Sequence, residues 1–152
     1  MRQYRHEFQV DAPIERVAEF HSSTKALKLL TPPPLYVQFN NLQPLFEGSV
    51  ADFTLWFGPL PINWVAVHSE VNPLEGFTDT QVKGPFETWV HRHTFRSLDH
   101  NTCEVIDEIQ AEPEKSLFWG ILSRLMWLNL PLLFAYRAWR TRQAVEGLWR
   151  EF

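Results

Sequence analysis

Two imidazoles and two carboxylates carry most of the chemistry that this sequence offers. His91 and His93 alternate in the run Glu87-Thr88-Trp89-Val90-His91-Arg92-His93-Thr94-Phe95, with Asp79 before them and Asp107 after. Residues two apart in a β-strand share a face, so Glu87, Trp89, His91, His93 and Phe95 form one side. Gly84-Pro85 and Asp99-His100-Asn101 are turn signals that fold neighbouring strands against this one. Pairing without a bulge keeps odd positions opposite odd ones, which brings in Phe77, Asp79 and Gln81 from one strand and Val105, Asp107 and Ile109 from the other. Adjacent strands run about 4.8 Å apart, close enough for carboxylate and imidazole to bond.

Polar groups on a face of Phe and Val must find partners. Three uses are open. They can form a closed His–Asp network that pins strand register, or they can recognise a polar group on a ligand. They can also act as general acids and bases, with His91, His93, Asp79 and Asp107 as the catalytic candidates. A His-x-His pair with an aspartate is a metal-ligand pattern too, but it is too common alone to imply an ion, and no metal is expected. No nucleophile motif or glycine-rich phosphate loop is present, and no cofactor is expected.

These residues need a sheet to hold them. Tyr4, His6, Phe8 and Val10 alternate with polar residues as a half-buried first strand. Asp11 is placed to cap a helix carrying Pro13, Val17 and Phe20, and Ser22 or Ser23 a second short helix ended by Thr31-Pro32-Pro33-Pro34. From Leu35 to Ala111 the pattern has period two, broken at Glu47-Gly48, Gly58-Pro59-Leu60-Pro61 and Asn72-Pro73 as well as the two turns above. That predicts six further strands. Asn129 can cap a final helix with Pro131 in its first turn and Phe134, Ala138, Thr141, Val145, Leu148 and Phe152 on one face. A sheet followed by a lone amphipathic helix buries that helix on its concave side.

Carried further, the same parity puts Val65, Val67 and Val71, then Phe53, Leu55 and Phe57, on the inner face. Trp56 and Trp64 fall on the outer face, as a cross-strand pair or an exposed docking patch. The predicted ligand contacts are therefore Phe53, Leu55, Phe57, Val67, Phe77, Asp79, Gln81, Trp89, His91, His93, Phe95, Asp107, Phe134 and Ala138. Arg137, Arg140, Arg142 and Arg150 suit the end of a helix and its solvated face, or else a phosphate or anionic lipid.

Length and composition set the outer limits. The 152 residues suit one domain over 1–152, and 45% hydrophobic with 21% charged residues is a globular balance. A net charge of -4 gives no basic face for nucleic acid. Seven Trp and 12 Phe suit cavity walls and interfaces. A single cysteine and a start without an apolar signal segment favour the cytoplasm. Leu117 to Tyr136 is apolar and as long as a membrane span, but Arg124, Asn129 and Pro131 interrupt it. A mobile lid formed by Leu117 to Leu128 over a pocket mouth is the expected role, and membrane-surface contact is the less favoured one. A homodimer is compatible with the sequence.

The block Phe77-x-Asp79-x-Gln81-x-x-Gly84-Pro85-Phe86-x-x-Trp89-x-His91-x-His93-x-Phe95 resembles the ligand-binding SRPBCC (START/polyketide-cyclase-like) families. Asp11-Ala12-Pro13-Ile14 with Val17 and Phe20, Thr31-Pro32-Pro33, Gly58-Pro59-Leu60-Pro61 with Trp64, Thr102, Asp107 and Phe134-Ala135-Tyr136-Arg137 extend the likeness along most of the chain. The resemblance implies a helix-grip fold of the α+β class: a curved seven-stranded antiparallel sheet around a long C-terminal helix, with two short helices after the first strand. It also implies a cavity between sheet and helix. Members bind lipids, sterols, polyketides or plant hormones, and some catalyse cyclisation or dehydration. Glu112-Pro113-Glu114-Lys115 and Leu117-Phe118-Trp119-Gly120 depart from the loop typical of the family, so the lid is expected to differ. Three functions follow: a carrier or sensor of a small apolar ligand, a cyclase or dehydratase, and a membrane- or partner-associated accessory protein.

Overall fold

The computed structural model describes residues 1–23 and 25–147, so Leu148, Arg150 and Phe152 lie outside the described residues. The chain runs as β1 (Arg2–Val10), α1 (Ile14–Ser22), α2 (Ala26–Leu29), β2 (Leu35–Leu42), β3 (Val50–Phe57), β4 (Leu60–Asn72), β5 (Gly76–Lys83), β6 (Phe86–Asp99), β7 (Thr102–Pro113), α3 (Leu117–Leu128) and α4 (Leu130–Arg142). A π-helical turn, Gln143–Gly147, follows α4. The seven strands form one antiparallel sheet in the order β1-β7-β6-β5-β4-β3-β2. Each strand from β2 to β7 therefore pairs with its neighbour in sequence, and β1 closes on β7. This is the predicted α+β helix-grip architecture.

The last helix docks as its spacing requires. Leu130, Phe134, Ala138 and Thr141 are its buried residues, with Val145 continuing the face into the π turn. Burying a side chain such as Phe134 is worth roughly 1.5–3 kcal/mol, and this stripe ties the helix to the sheet. Two cores result. One joins Val37, Phe53, Trp64, Trp89 and Ile109 to Leu130 and Phe134, and the other joins Val10, Val17, Phe77, Phe95 and Val105 to Val145.

The caps differ from expectation. α1 begins at Ile14 with Pro13 at the N-cap and no side-chain cap, while the Asp11 N–H donates instead to Glu146 Oε1 at 2.7 Å. Ser23 does support α2, accepting from the Lys25 N–H at 3.2 Å. Asn129 turns backwards. Its Nδ2 donates to Leu125 O at 2.7 Å, so it closes the end of α3 and does not cap α4.

The inner face of β4 is the main correction. The register of β4 with β5 shifts between Ser69 and Asn72, where Glu70 adopts φ 52. This bulge is pinned on both sides. The Glu70 and Val71 N–H groups donate to the Glu47 carboxylate at 3.2 and 3.0 Å, and the Glu70 carboxylate accepts from Thr78 Oγ1 and Arg92 Nη1. The extra residue reverses the parity of β4, so Ile62, Trp64 and Ala66 are buried inward and Val65 and Val67 fall on the opposite face. Trp64 is thus an inner residue, not an outer partner of Trp56. Phe53, Leu55 and Phe57 nevertheless face in as expected, because Phe57 pairs with Leu60 across a two-residue turn and parity reverses a second time.

Candidate functional site

Between the sheet and the helices lies a cavity of about 890 Å³. Phe53, Trp64, Trp89, Phe77 and Phe86 form its aromatic walls, with Trp64 stacked on Phe53 and edge-on to Trp89 at 5.4 Å. The helices supply Ala26, Leu27 and Leu30, then Leu122, Leu125 and Met126, then Leu130, Leu133 and Phe134. Exposed residues among the lining, namely Ser22, Ser23, Pro33, Pro34, Phe57, Leu125, Asn129 and Leu132, mark the mouth. α3 therefore borders the cavity through Leu122, Leu125 and Met126.

The polar cluster assembles at the inner end. His91 is opposite Asp79 across one strand pair, and His93 is opposite Asp107 across the other. The His91 Nε2–H donates to Asp107 Oδ1 at 2.8 Å and the His93 Nε2–H to Asp79 Oδ2 at 2.6 Å. His93 Nδ1 lies 3.3 Å from Asp107 Oδ1, and the two rings stack at 3.7 Å. Each imidazole thus sits between two carboxylates.

Burial and bonding divide the charge unevenly. Burial alone would lower His93, but its hydrogen bonds to Asp107 and Asp79 prevail and hold it up at about 9. Burial, joined by the charge on His93, pushes His91 below its ordinary value. Burial would raise both aspartates, yet bonds from His91 and His93 to Asp107, and from His93 to Asp79, keep them below the usual carboxylate range. At neutral pH the cluster is two carboxylates, one imidazolium and one neutral imidazole.

The second cation comes from α4. Arg137 lines the cavity, its guanidinium lies over the Phe134 ring at 5.4 Å, and burial depresses its pKa while Asp107 and Asp79 oppose that. Arg137 balances the second carboxylate without an ion pair to it among the described residues. Its Nε is buried with no hydrogen-bond partner among those residues. His68 and His21 flank the cluster, and burial lowers both, His21 to about 4.

The predicted contacts divide as follows. Phe53, Leu55, Phe57, Phe77, Asp79, Trp89, His91, His93 and Phe134 line the cavity. Val67 is turned away by the bulge. Gln81 instead closes the β5–β6 turn, its side chain bonding both the Phe86 N–H and the Phe86 carbonyl. Phe95 and Ala138 are buried in packing outside the cavity, and Asp107 lies behind His93 facing a small void shared with Arg137 and Thr141. Trp64, Ala66 and His68 were hidden by the parity reversal. Arg137, expected on a solvated helix face, is instead half-buried in the cavity lining; its place three residues after Phe134 on the same helix face is the signal that could have found it. Asp79, His91 and His93 place one ligand-type atom each within 4.8 Å of one another, which is a metal-compatible trio, and within it His93 Nε2 already bonds Asp79 Oδ2.

No protein-family model and no curated protein matches this chain. Solved structures do. Protein CV1439 from Chromobacterium violaceum is similar with a TM-score of 0.76 and 16% identity, over 97% of this chain and 99% of that one. The Zhui aromatase/cyclase from Streptomyces sp. R1128 has a TM-score of 0.69 at 16% identity, over 96% and 92%. This chain shares the helix-grip fold of these structures. A norcoclaurine synthase from Thalictrum flavum shares it as well, at a TM-score of 0.67 and 15% identity over 99% and 96% of the two chains. At these identities the likeness establishes the helix-grip fold of this chain and leaves its ligand to the cavity's own chemistry. Among the described residues no single helix is long and apolar enough to cross a membrane, and the helical segments Leu117–Leu128 and Leu130–Glu146 are bent by 52° where they meet.

Proposed function

We propose that this protein binds a small, largely apolar molecule bearing an oxygen at one end, as a carrier or sensor. The carrying observation is the cavity's asymmetry: aromatic and aliphatic walls throughout, with Arg137, Asp79 and His93 gathered at the inner end. Arg137 lines the cavity, and a ligand oxygen that accepts from its guanidinium gains a charge-assisted hydrogen bond worth about 1.5–3 kcal/mol. Because the cluster is balanced in charge, a neutral hydroxyl or carbonyl suits it better than a second anion. Cytoplasmic action belongs to the same reading, which the lone buried Cys103 suits.

The test uses naphthalene and 2-naphthol, which share a body and differ by one oxygen, with binding measured by calorimetry. The expected result is tighter binding of 2-naphthol by about tenfold, a difference removed by Arg137→Leu. Equal affinity in the natural protein, or no binding of either, overturns the reading. Mass spectrometry of solvent extracts from the purified protein then identifies the natural occupant.

One observation favours a second reading, a dehydratase or cyclase. His93 carries a proton beside the ionised Asp79, and both line the cavity. On a β-hydroxy ketone, Asp79 would take the α-proton while His93 protonates the departing hydroxyl, so that the C–O bond breaks and water leaves. Loss of one water from such a substrate, abolished in His93→Gln, distinguishes an enzyme from a carrier.

A further inference from the structure

The helix pair over the cavity is apolar on its outer side as well. On α3, Leu117, Phe118, Ile121, Leu125 and Leu128 are all exposed, at spacings that confine them to about 100° of arc at 3.6 residues per turn. Leu132 carries the stripe past the bend into α4. Leu117 is 83% exposed, Leu128 70% and Leu132 73%. A run of aliphatic side chains this open marks an interaction surface.

Two further observations say what the surface meets. Residues 117–142 contain no Asp or Glu, although the whole chain is net acidic at -4, and three of their arginines, Arg124, Arg140 and Arg142, lie outside the cavity lining. Leu125 and Leu132 are both exposed and part of the cavity lining, so the stripe reaches the mouth itself. We propose that this face docks on an anionic lipid bilayer, with α3 lying in the interface plane and the cavity mouth turned toward the lipid. An apolar stripe bordered by arginine is a composition that settles at the headgroup boundary. In that pose an apolar ligand passes between bilayer and cavity without crossing water. A second copy of the chain fits less well. A two-fold contact sets the stripe against itself and brings Arg124 toward the other copy's Arg124, with no acid on either helix pair to offset the repulsion.

Co-sedimentation tests this with vesicles of phosphatidylcholine alone and of phosphatidylcholine mixed equally with phosphatidylglycerol. The protein sediments with the mixed vesicles and is released as salt rises. Leu117 and Leu128 are outside the cavity lining, so the double variant Leu117→Glu/Leu128→Glu loses about tenfold or more of vesicle affinity, with its thermal midpoint and 2-naphthol binding unchanged. Arg124→Gln, which leaves the stripe whole, weakens binding to the mixed vesicles about fivefold. Wild-type protein that stays in the supernatant with both vesicles overturns the proposal. So does a dimer in sedimentation velocity that the double variant splits while neither vesicle captures the protein. Failure of 2-naphthol to bind would count against the cavity reading alone.

Discussion

At the scale of single residues, the His–Asp cluster makes folding stability depend on pH from two directions. His93 has a folded pKa of about 9, above its ordinary 6.5, so its contribution is complete below 6.5 and is lost as pH rises through 9. That limb is worth on the order of 3 kcal/mol. His91 and His21 are depressed, His21 to about 4, so the unfolded chain binds more protons below 6.5 and stability falls as the solution is acidified. The depressed Asp79 and Asp107 add a further loss once pH drops through the carboxylate range. Urea unfolding as a function of pH should therefore show a maximum near 6.5, and His93→Gln should flatten the alkaline side and also soften the acid side, because His93 helps depress His91, Asp79 and Asp107. Removing a partner is harsher than moving a proton. Asp107→Ala leaves the His93 imidazolium with one carboxylate, and about 3–5 kcal/mol of stability should go with it.

Among the elements, the sheet positions the cluster and the turns aim it. Gly76 opens β5 opposite Thr94 at φ 133, and a Cβ there would lie 1.9 Å from the His93 carbonyl oxygen. Gly76→Ala is expected to push β5 away from His93, the residue whose imidazole bonds Asp79. A stability loss above about 1–3 kcal/mol in urea, with the His93 alkaline limb weakened, is the expected outcome. The bulge at Glu70 controls a different matter, namely which residues of β4 see the cavity. Glu47→Ala frees the Glu70 and Val71 N–H groups from their acceptor. Ligand affinity should fall with it, because Trp64 and Ala66 depend on that register, and calorimetry with 2-naphthol reads the effect.

For the molecule as a whole, the cavity sets function and stability against each other. A void of about 890 Å³ beside the core forgoes packing that a filled interior would have. Ala66→Phe projects a ring into this space from the middle of β4. The variant should keep or raise its thermal midpoint while losing 2-naphthol binding, the usual trade between a filled site and a working one. Conversely, saturating ligand should raise the stability of the natural protein by about 2.7 kcal/mol at a hundred times Kd. A variant that binds normally despite the added ring would place the ligand elsewhere.

Periodicity alone determined the order of elements here, because alternation in the strands and the 134, 138, 141, 145 spacing in α4 reflect burial, which is written residue by residue. It also brought Asp79, His91, His93 and Asp107 together, since the hairpin joining β5 to β6 and the register of β6 with β7 keep parity across those four residues. Tertiary structure decided the rest. The bulge at Glu70 is held by Glu47, twenty-three residues away, so no local pattern announces it, and with it Trp64, Ala66 and His68 exchange faces with Val65 and Val67. The cavity is likewise a property of the assembled layers: it is the space left where α3 and α4 rest across the curved sheet, and no single element encodes a volume.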